Sequence, residues 1–285
     1  MRLRPTPALI PFLPLLFPSP LNQRLLSSCR PLSTAHIRLA STSSASMSTS
    51  MTASGRVIAV TFDLDDTLWD CLPPLKRANA AHIEHMRENY PKVEVDADKL
   101  RAEMLALREL LSPEEGASLT ILRRKTIERL AERAGYAPEE VADSTMEVFM
   151  RERNKVDLFE GAVETLQQLR GKGLVVGAVT NGNADVARTP LKGLFDFSVL
   201  AGALGFPKPH PASFLEAAKL SNASPGQLVH VGDDFTTDIV GARAAGVRSV
   251  WYNPKGAPRP EGAAFRPDGE VAALAEVVGL VDGWR

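Results

Sequence analysis

The chain has 285 residues, 44% of them hydrophobic and 24% charged, with 20 Gly and 21 Pro. That length leaves room for one large domain or a core with an insertion, and the composition excludes a disordered, collagenous or coiled-coil chain. A net charge of −1 argues against a nucleic-acid partner held by a basic surface, and two cysteines, Cys29 and Cys71, allow neither a disulfide framework nor a zinc spacing.

The near-neutral total averages two unlike segments. No Asp or Glu precedes Asp63, whereas Arg2, Arg4, Arg24, Arg30 and Arg38 are basic and a Ser/Thr cluster runs from Ser41 to Ser54. Organelle transit peptides are Arg- and Ser-rich and poor in acids. Residues 1–55 therefore read as a transit peptide without ordered structure, addressed to plastid or mitochondrion, with Met47 or Met51 as an internal start for a cytosolic form. The apolar stretch from Ala8 to Phe17 is interrupted by Pro11 and Pro14 and falls short of the ~20 residues a membrane span needs, so no membrane partner is expected. Without residues 1–50, 28 basic residues face 34 acidic ones, a net charge of −6.

Next comes Val57-Ile-Ala-Val-Thr-Phe62, an apolar β-prone run of strand length that ends in acids at Asp63, Asp65 and Asp66. From about Pro74 to Lys155 the pattern turns helical, with segments near 75–89, 97–111, 117–134 and 138–153 separated by Pro- and Gly-containing breaks. From Asp157 strand and helix signals alternate. Helices are expected at 161–171, 184–192, 211–221 and 236–245, and strands at 174–180, 197–201, 228–231 and 248–252. Alternation of this kind predicts a Rossmann-like α/β parallel sheet. The helical block then interrupts it as an inserted domain: core 56–73 and 157–285, insertion 74–156.

In an open parallel sheet, ligands sit at the carboxyl ends of the strands. Strand one ends in Asp63, Asp65, Asp66 and Thr67, strand two in Thr180-Asn181-Gly182, and the strand at Leu228 in Gly232-Asp233-Asp234, with Asp238 four residues further. Lys208 lies between Pro207 and Pro209. Carboxylates gathered at one edge repel unless a cation lies among them, and oxygen-only ligands favour Mg²⁺ as the cofactor.

Phe62-Asp63-Leu64-Asp65-Asp66-Thr67, followed in order by Thr180, Lys208 and Asp233-Asp234, resembles the four motifs of the haloacid dehalogenase superfamily. The resemblance implies that Asp63 is a nucleophile forming an aspartyl-phosphate and that Asp65 is the general acid and then base. It implies that Thr180, the Asn181 backbone N–H and Lys208 bind phosphate. Asp63, the Asp65 carbonyl and Asp233 would ligate Mg²⁺, with Asp238, alone or together with Asp234, supporting the ion through water. It also implies that the helical block is a cap domain holding the specificity contacts. An acid two residues after the nucleophile separates phosphatases from dehalogenases, and a sugar phosphomutase would keep both acids.

The runs at 62–70, 180–184 and 230–238 resemble, more narrowly, bacterial phosphatases acting on 5-amino-6-(5-phosphoribitylamino)uracil, a riboflavin precursor, and on flavin mononucleotide (FMN). The expected partner is thus a small phosphorylated metabolite. Phosphoglycolate, a sugar phosphate or a nucleoside monophosphate are alternatives, as is a non-catalytic phosphate-binding relative; oligomeric state leaves no trace in the sequence. Asp234 or Thr236 could simply cap a helix. His82 and His85 read as a polar helix face, His210 as loop packing, Trp69 and Trp251 as hinge or core residues, and Cys71 as a small hydrophobe.

Overall fold

The computed structural model describes residues 55–285 other than residue 264, and these lie within one compact unit, Ser50–Arg285. The transit peptide expected at 1–55 falls, but for its last residue, outside the described residues.

Strands β1 (Ala59–Phe62), β2 (Val175–Thr180), β3 (Phe197–Leu200), β4 (Leu228–Gly232), β5 (Arg248–Tyr252) and β6 (Gly269–Val271) form one sheet in the order β3-β2-β1-β4-β5-β6. Every pairing is parallel. The chain order runs outward in both directions from β1 and β4, so the crevice between the carboxyl ends of these two strands is the topological switch point. There Phe62 is in register with Ala178 of β2 and Val231 of β4.

β1 is buried along its whole length because both faces are covered. Val60 and Phe62 pack with Leu166 and Leu169 of α6 (Ala162–Gly171) and Val277 and Val281 of α9 (Glu276–Asp282). Ala59 points the other way, toward Phe214 and Ala217 of α7 (Ala212–Leu220) and Ala242 of α8 (Gly241–Ala244). Alternate residues reach opposite faces because the strand repeat is two.

Between β1 and α6 the chain forms α1 (Leu72–Asn89), α2 (Ala97–Arg108), α3 (Pro113–Ala117), α4 (Leu119–Arg133) and α5 (Pro138–Arg153), with no strand. Local chemistry sets their ends. Pro73 and Pro138 occupy first turns, where the missing N–H has no intrahelical partner to lose. Asp96 and Ser118 accept the N–H groups of Lys99 and Ile121 as N-caps. Helices α1, α2, α4 and α5 share their own apolar centre, including Met86, Leu122, Ile127 and Val141. No described helix is long and apolar enough to cross a membrane.

Three expectations change. The helix expected at 184–192 is only a 3₁₀ turn, Val186–Arg188, because Asp185 caps its start and Pro190 prevents continuation. The helix expected at 236–245 is a wide π turn, Phe235–Val240, running into the short α8. His82 does not lie on a polar face: it is fully buried, its Nδ1 2.8 Å from the Ala78 carbonyl and its ring edge-on to Phe149.

Candidate active site

Asp63 is the first residue beyond β1, and its backbone N–H still donates to Val231 at 2.8 Å, which fixes it at the switch point. Its Oδ1 accepts from Lys208 Nζ at 2.7 Å. The same ammonium donates to Asp238 Oδ1 at 2.6 Å and to the Val179 carbonyl at 2.8 Å, so all three of its donors are used. Asp238 is fully buried; its Oδ1 also lies 3.1 Å from His230 Nε2, and its Oδ2 accepts the Asp234 N–H. His230 in turn meets the Thr61 hydroxyl at 3.0 Å through Nδ1. Gly232 makes this packing possible, since a Cβ there would stand 2.3 Å from Asp238 Cγ.

Asp233 follows β4 directly. The Thr67 hydroxyl donates to its Oδ1 and accepts its N–H, each at 3.1 Å, and Trp251 Nε1 donates to its carbonyl at 2.7 Å. One carboxylate oxygen from each of Asp63, Asp233 and Asp238 lies within 4.8 Å of the others. Burial pushes Asp63 up to about 7, against the pull of Lys208. Burial, with the charges of Asp63, Asp238 and Asp66, pushes Asp233 up to about 8. Asp238 goes the other way: burial is outweighed by Lys208 and His230, which hold it at about 2. One lysine cannot neutralise three carboxylates. Three carboxylates facing a single lysine, with no sulfur ligand among them, suit a hard divalent cation such as Mg²⁺.

Asp65 stands apart from this group. Its carboxylate accepts from Arg153 Nη2, at 2.7 Å to Oδ1 and 2.6 Å to Oδ2, and from Trp69 Nε1 at 2.9 Å. The turn that places it has Asp66 at φ 61°, a left-handed conformation that Asp tolerates, closed by the Cys71 N–H on Asp66 Oδ1 at 2.9 Å. On β2, the Thr180 hydroxyl accepts the Gly182 N–H at 2.9 Å. Asn181 turns its side chain to the Lys208 backbone, accepting its N–H at 2.7 Å and donating to its carbonyl at 3.0 Å, and thereby anchors the lysine loop.

The remaining singled-out residues have structural neighbours. Asp234 is exposed and caps the π turn by accepting the Thr237 N–H at 2.6 Å. His85 lies 3.3 Å from the Ser144 hydroxyl, away from buried His82. His210 stacks on Phe206, and Cys71 is buried, its thiol pKa raised by burial. Sequence reasoning assigned no role to His230 or Arg153. A histidine inside an apolar strand and an arginine in the last turn of a charged helix have no local pattern that separates them from core and surface residues.

The model of the haloacid dehalogenase-like hydrolases matches residues 58–246, which include Asp63, Asp65, Thr180, Lys208, Asp233 and Asp238. The chain belongs to the haloacid dehalogenase-like hydrolases. Within that family, this hydrolase is 33% identical over 236 residues to the 5-amino-6-(5-phospho-D-ribitylamino)uracil phosphatase YigB of Escherichia coli, covering 80% of this chain and 97% of the relative. It is 32% identical to a glyceraldehyde 3-phosphate phosphatase of Pyrococcus furiosus, over 69% and 81% of the two chains. A solved structure from Pseudomonas syringae pv. Tomato, described as a 2-haloacid dehalogenase, superposes on the hydrolase with a TM-score of 0.74 at 37% identity, covering 80% of this chain and all of that one.

Proposed function

We propose that this hydrolase, a phosphatase, is a Mg²⁺-dependent phosphomonoesterase that works through an aspartyl-phosphate on Asp63. The supporting observation is the group of Asp63, Asp233 and Asp238 around Lys208 at the switch point. Asp63 and Asp233, with the Asp65 carbonyl, would hold the ion, and Asp238 would support it while fixing Lys208. When bound, Mg²⁺ neutralises the carboxylates and the phosphate oxygens, which lets two anions approach.

The chain's own residues do the rest. Lys208 holds one oxygen of Asp63 and orients the carboxylate for in-line attack on phosphorus. Lys208, Thr180 and the Asn181 N–H balance the charge that spreads over the phosphoryl oxygens. Asp65 protonates the leaving oxygen, then takes a proton from the water that hydrolyses the aspartyl-phosphate. The helical insertion acts as a cap that limits water and contacts the leaving group.

The substrate is a small phosphorylated metabolite, with 5-amino-6-(5-phosphoribitylamino)uracil or FMN preferred. The 33% identity to YigB along nearly its full length supports this reading. A panel of phosphorylated metabolites that includes phosphoglycolate, sugar phosphates and nucleoside monophosphates tests it by kcat/KM. The riboflavin precursor or FMN should lead, and a clear preference for phosphoglycolate would overturn the choice. Asp63→Asn should reduce hydrolysis to the assay background, and chelation of Mg²⁺ should do the same to the wild type. Activity of Asp63→Asn equal to wild type would instead favour a non-catalytic role for that carboxylate. Residues 1–55 are proposed to direct import into a plastid or mitochondrion, and a fluorescent fusion to them that stayed cytosolic would count against it.

A further inference from the structure

The helical insertion sends one charged side chain into the site. Arg153 is the last residue of α5 and only 1% exposed, and Asp65, 88 positions earlier in the chain, accepts two bonds from its Nη2. The Nε and Nη1 of Arg153 are buried with no hydrogen-bond partner among the described residues. A half-satisfied buried guanidinium is a poor device for stability, because an apolar side chain of similar volume would fill the space without desolvating a charge. Its surroundings make the placement costlier still. Buried Arg123, which bonds Asn79 at 3.1 Å and lies 3.7 Å over the Phe149 ring, is near enough that burial and the charge of Arg153 lower its pKa to about 9.

Gly182 gives an independent sign that the Asp65–Arg153 contact is built in. Its φ is not in the left-handed region, so its backbone does not demand glycine. A Cβ there, however, would stand 2.4 Å from Asp65 Oδ2 and 3.3 Å from Arg153 Nη2. The β2 turn leaves out a side chain where the two charged groups meet.

We propose that Arg153 is a positioning residue that holds Asp65 as the base for hydrolysis of the aspartyl-phosphate, so that this half of the reaction depends on α5 being seated against the core. Both Asp65 oxygens accept from one nitrogen of Arg153, which fixes the orientation of the carboxyl group. In the step concerned, water oxygen bonds to phosphorus as its proton passes to Asp65. The bond between phosphorus and Asp63 breaks, Asp63 regains its carboxylate, and inorganic phosphate leaves. Arg153 neither gains nor loses a proton. The inference rests on the reading of Asp65 as acid and base.

Rapid-mixing kinetics with p-nitrophenyl phosphate test it, because nitrophenolate leaves without an acid and only the second half needs the base. In Arg153→Met, a burst of about one nitrophenolate per active site should precede a steady state lowered about a hundredfold. Acid-quenched samples should show protein carrying one phosphoryl group. General structural damage would slow both halves and give no burst. Arg153→Lys and Gly182→Ala read out the same step if Arg153→Met does not fold. Asp65→Asn separates the two readings. A burst in Asp65→Asn without one in the Arg153 variants would overturn the role of Arg153 alone; no burst in either would remove the base itself, and this inference with it.

Discussion

Lys208 is bonded to Asp63 and Asp238 and is itself buried, so each carboxylate depends on it. Removing one member of such a buried group leaves uncompensated charge, at a cost of about 3–5 kcal/mol. Lys208→Met should therefore lose about that much stability in denaturant titrations at pH 8. At pH 5 the loss should be smaller, since the abandoned carboxyls can take up protons. Gly232→Ala should be damaging as well: its Cβ would displace Asp238, and both the thermal midpoint and turnover should fall, whereas an equally buried strand position without such a neighbour would tolerate the methyl. At this scale the sequence showed which residue types gather at the strand ends, because acids following an apolar run are unmistakable. It did not show how they divide. Asp233 and Asp238 join Asp63, while Asp65 turns to Arg153, and that choice depends on side chains 88 to 175 positions away.

Among the elements, β1, β2, β4 and β5 were readable because strands buried on both faces are continuous apolar runs. β6 has only three residues and α9 only seven, too short for periodicity to rise above its surroundings. Segment 184–192 failed for a different reason. Its residues favour helix, but the proline and the tertiary pairing of Arg188 with Glu147 at 2.7 Å hold it as a single turn. His82 was misread because a histidine looks polar in a helical pattern, while burial and Arg123 lower its pKa to about 3 and leave a neutral ring suited to the interior. The insertion has a centre of its own, so a cavity there should be felt: Ile127→Ala is expected to cost about 2–5 kcal/mol by chemical denaturation.

For the molecule as a whole, the carboxyl cluster couples stability to pH. Asp233 moves from its usual 3.8 to about 8 in the fold, which means that the folded state holds this proton more tightly than the unfolded chain. Its contribution is complete below about pH 4 and is lost as pH rises toward 8. A cation bound among these carboxylates would replace the proton. Added Mg²⁺ should accordingly raise the thermal midpoint by several degrees at pH 8 and by little at pH 5, and an equal shift at both would show that the ion does not sit among these carboxylates.

The two chain segments that join the insertion to the sheet run side by side: Trp69 bridges to Leu158, and the Phe159 N–H donates to Leu68 at 2.8 Å. Such a stitched neck holds entry and exit together whatever hangs beyond it, and the entropy of closing a longer excursion grows only with the logarithm of its length. Helices could be lengthened, exchanged or lost outside that stitch while the strand register stays put.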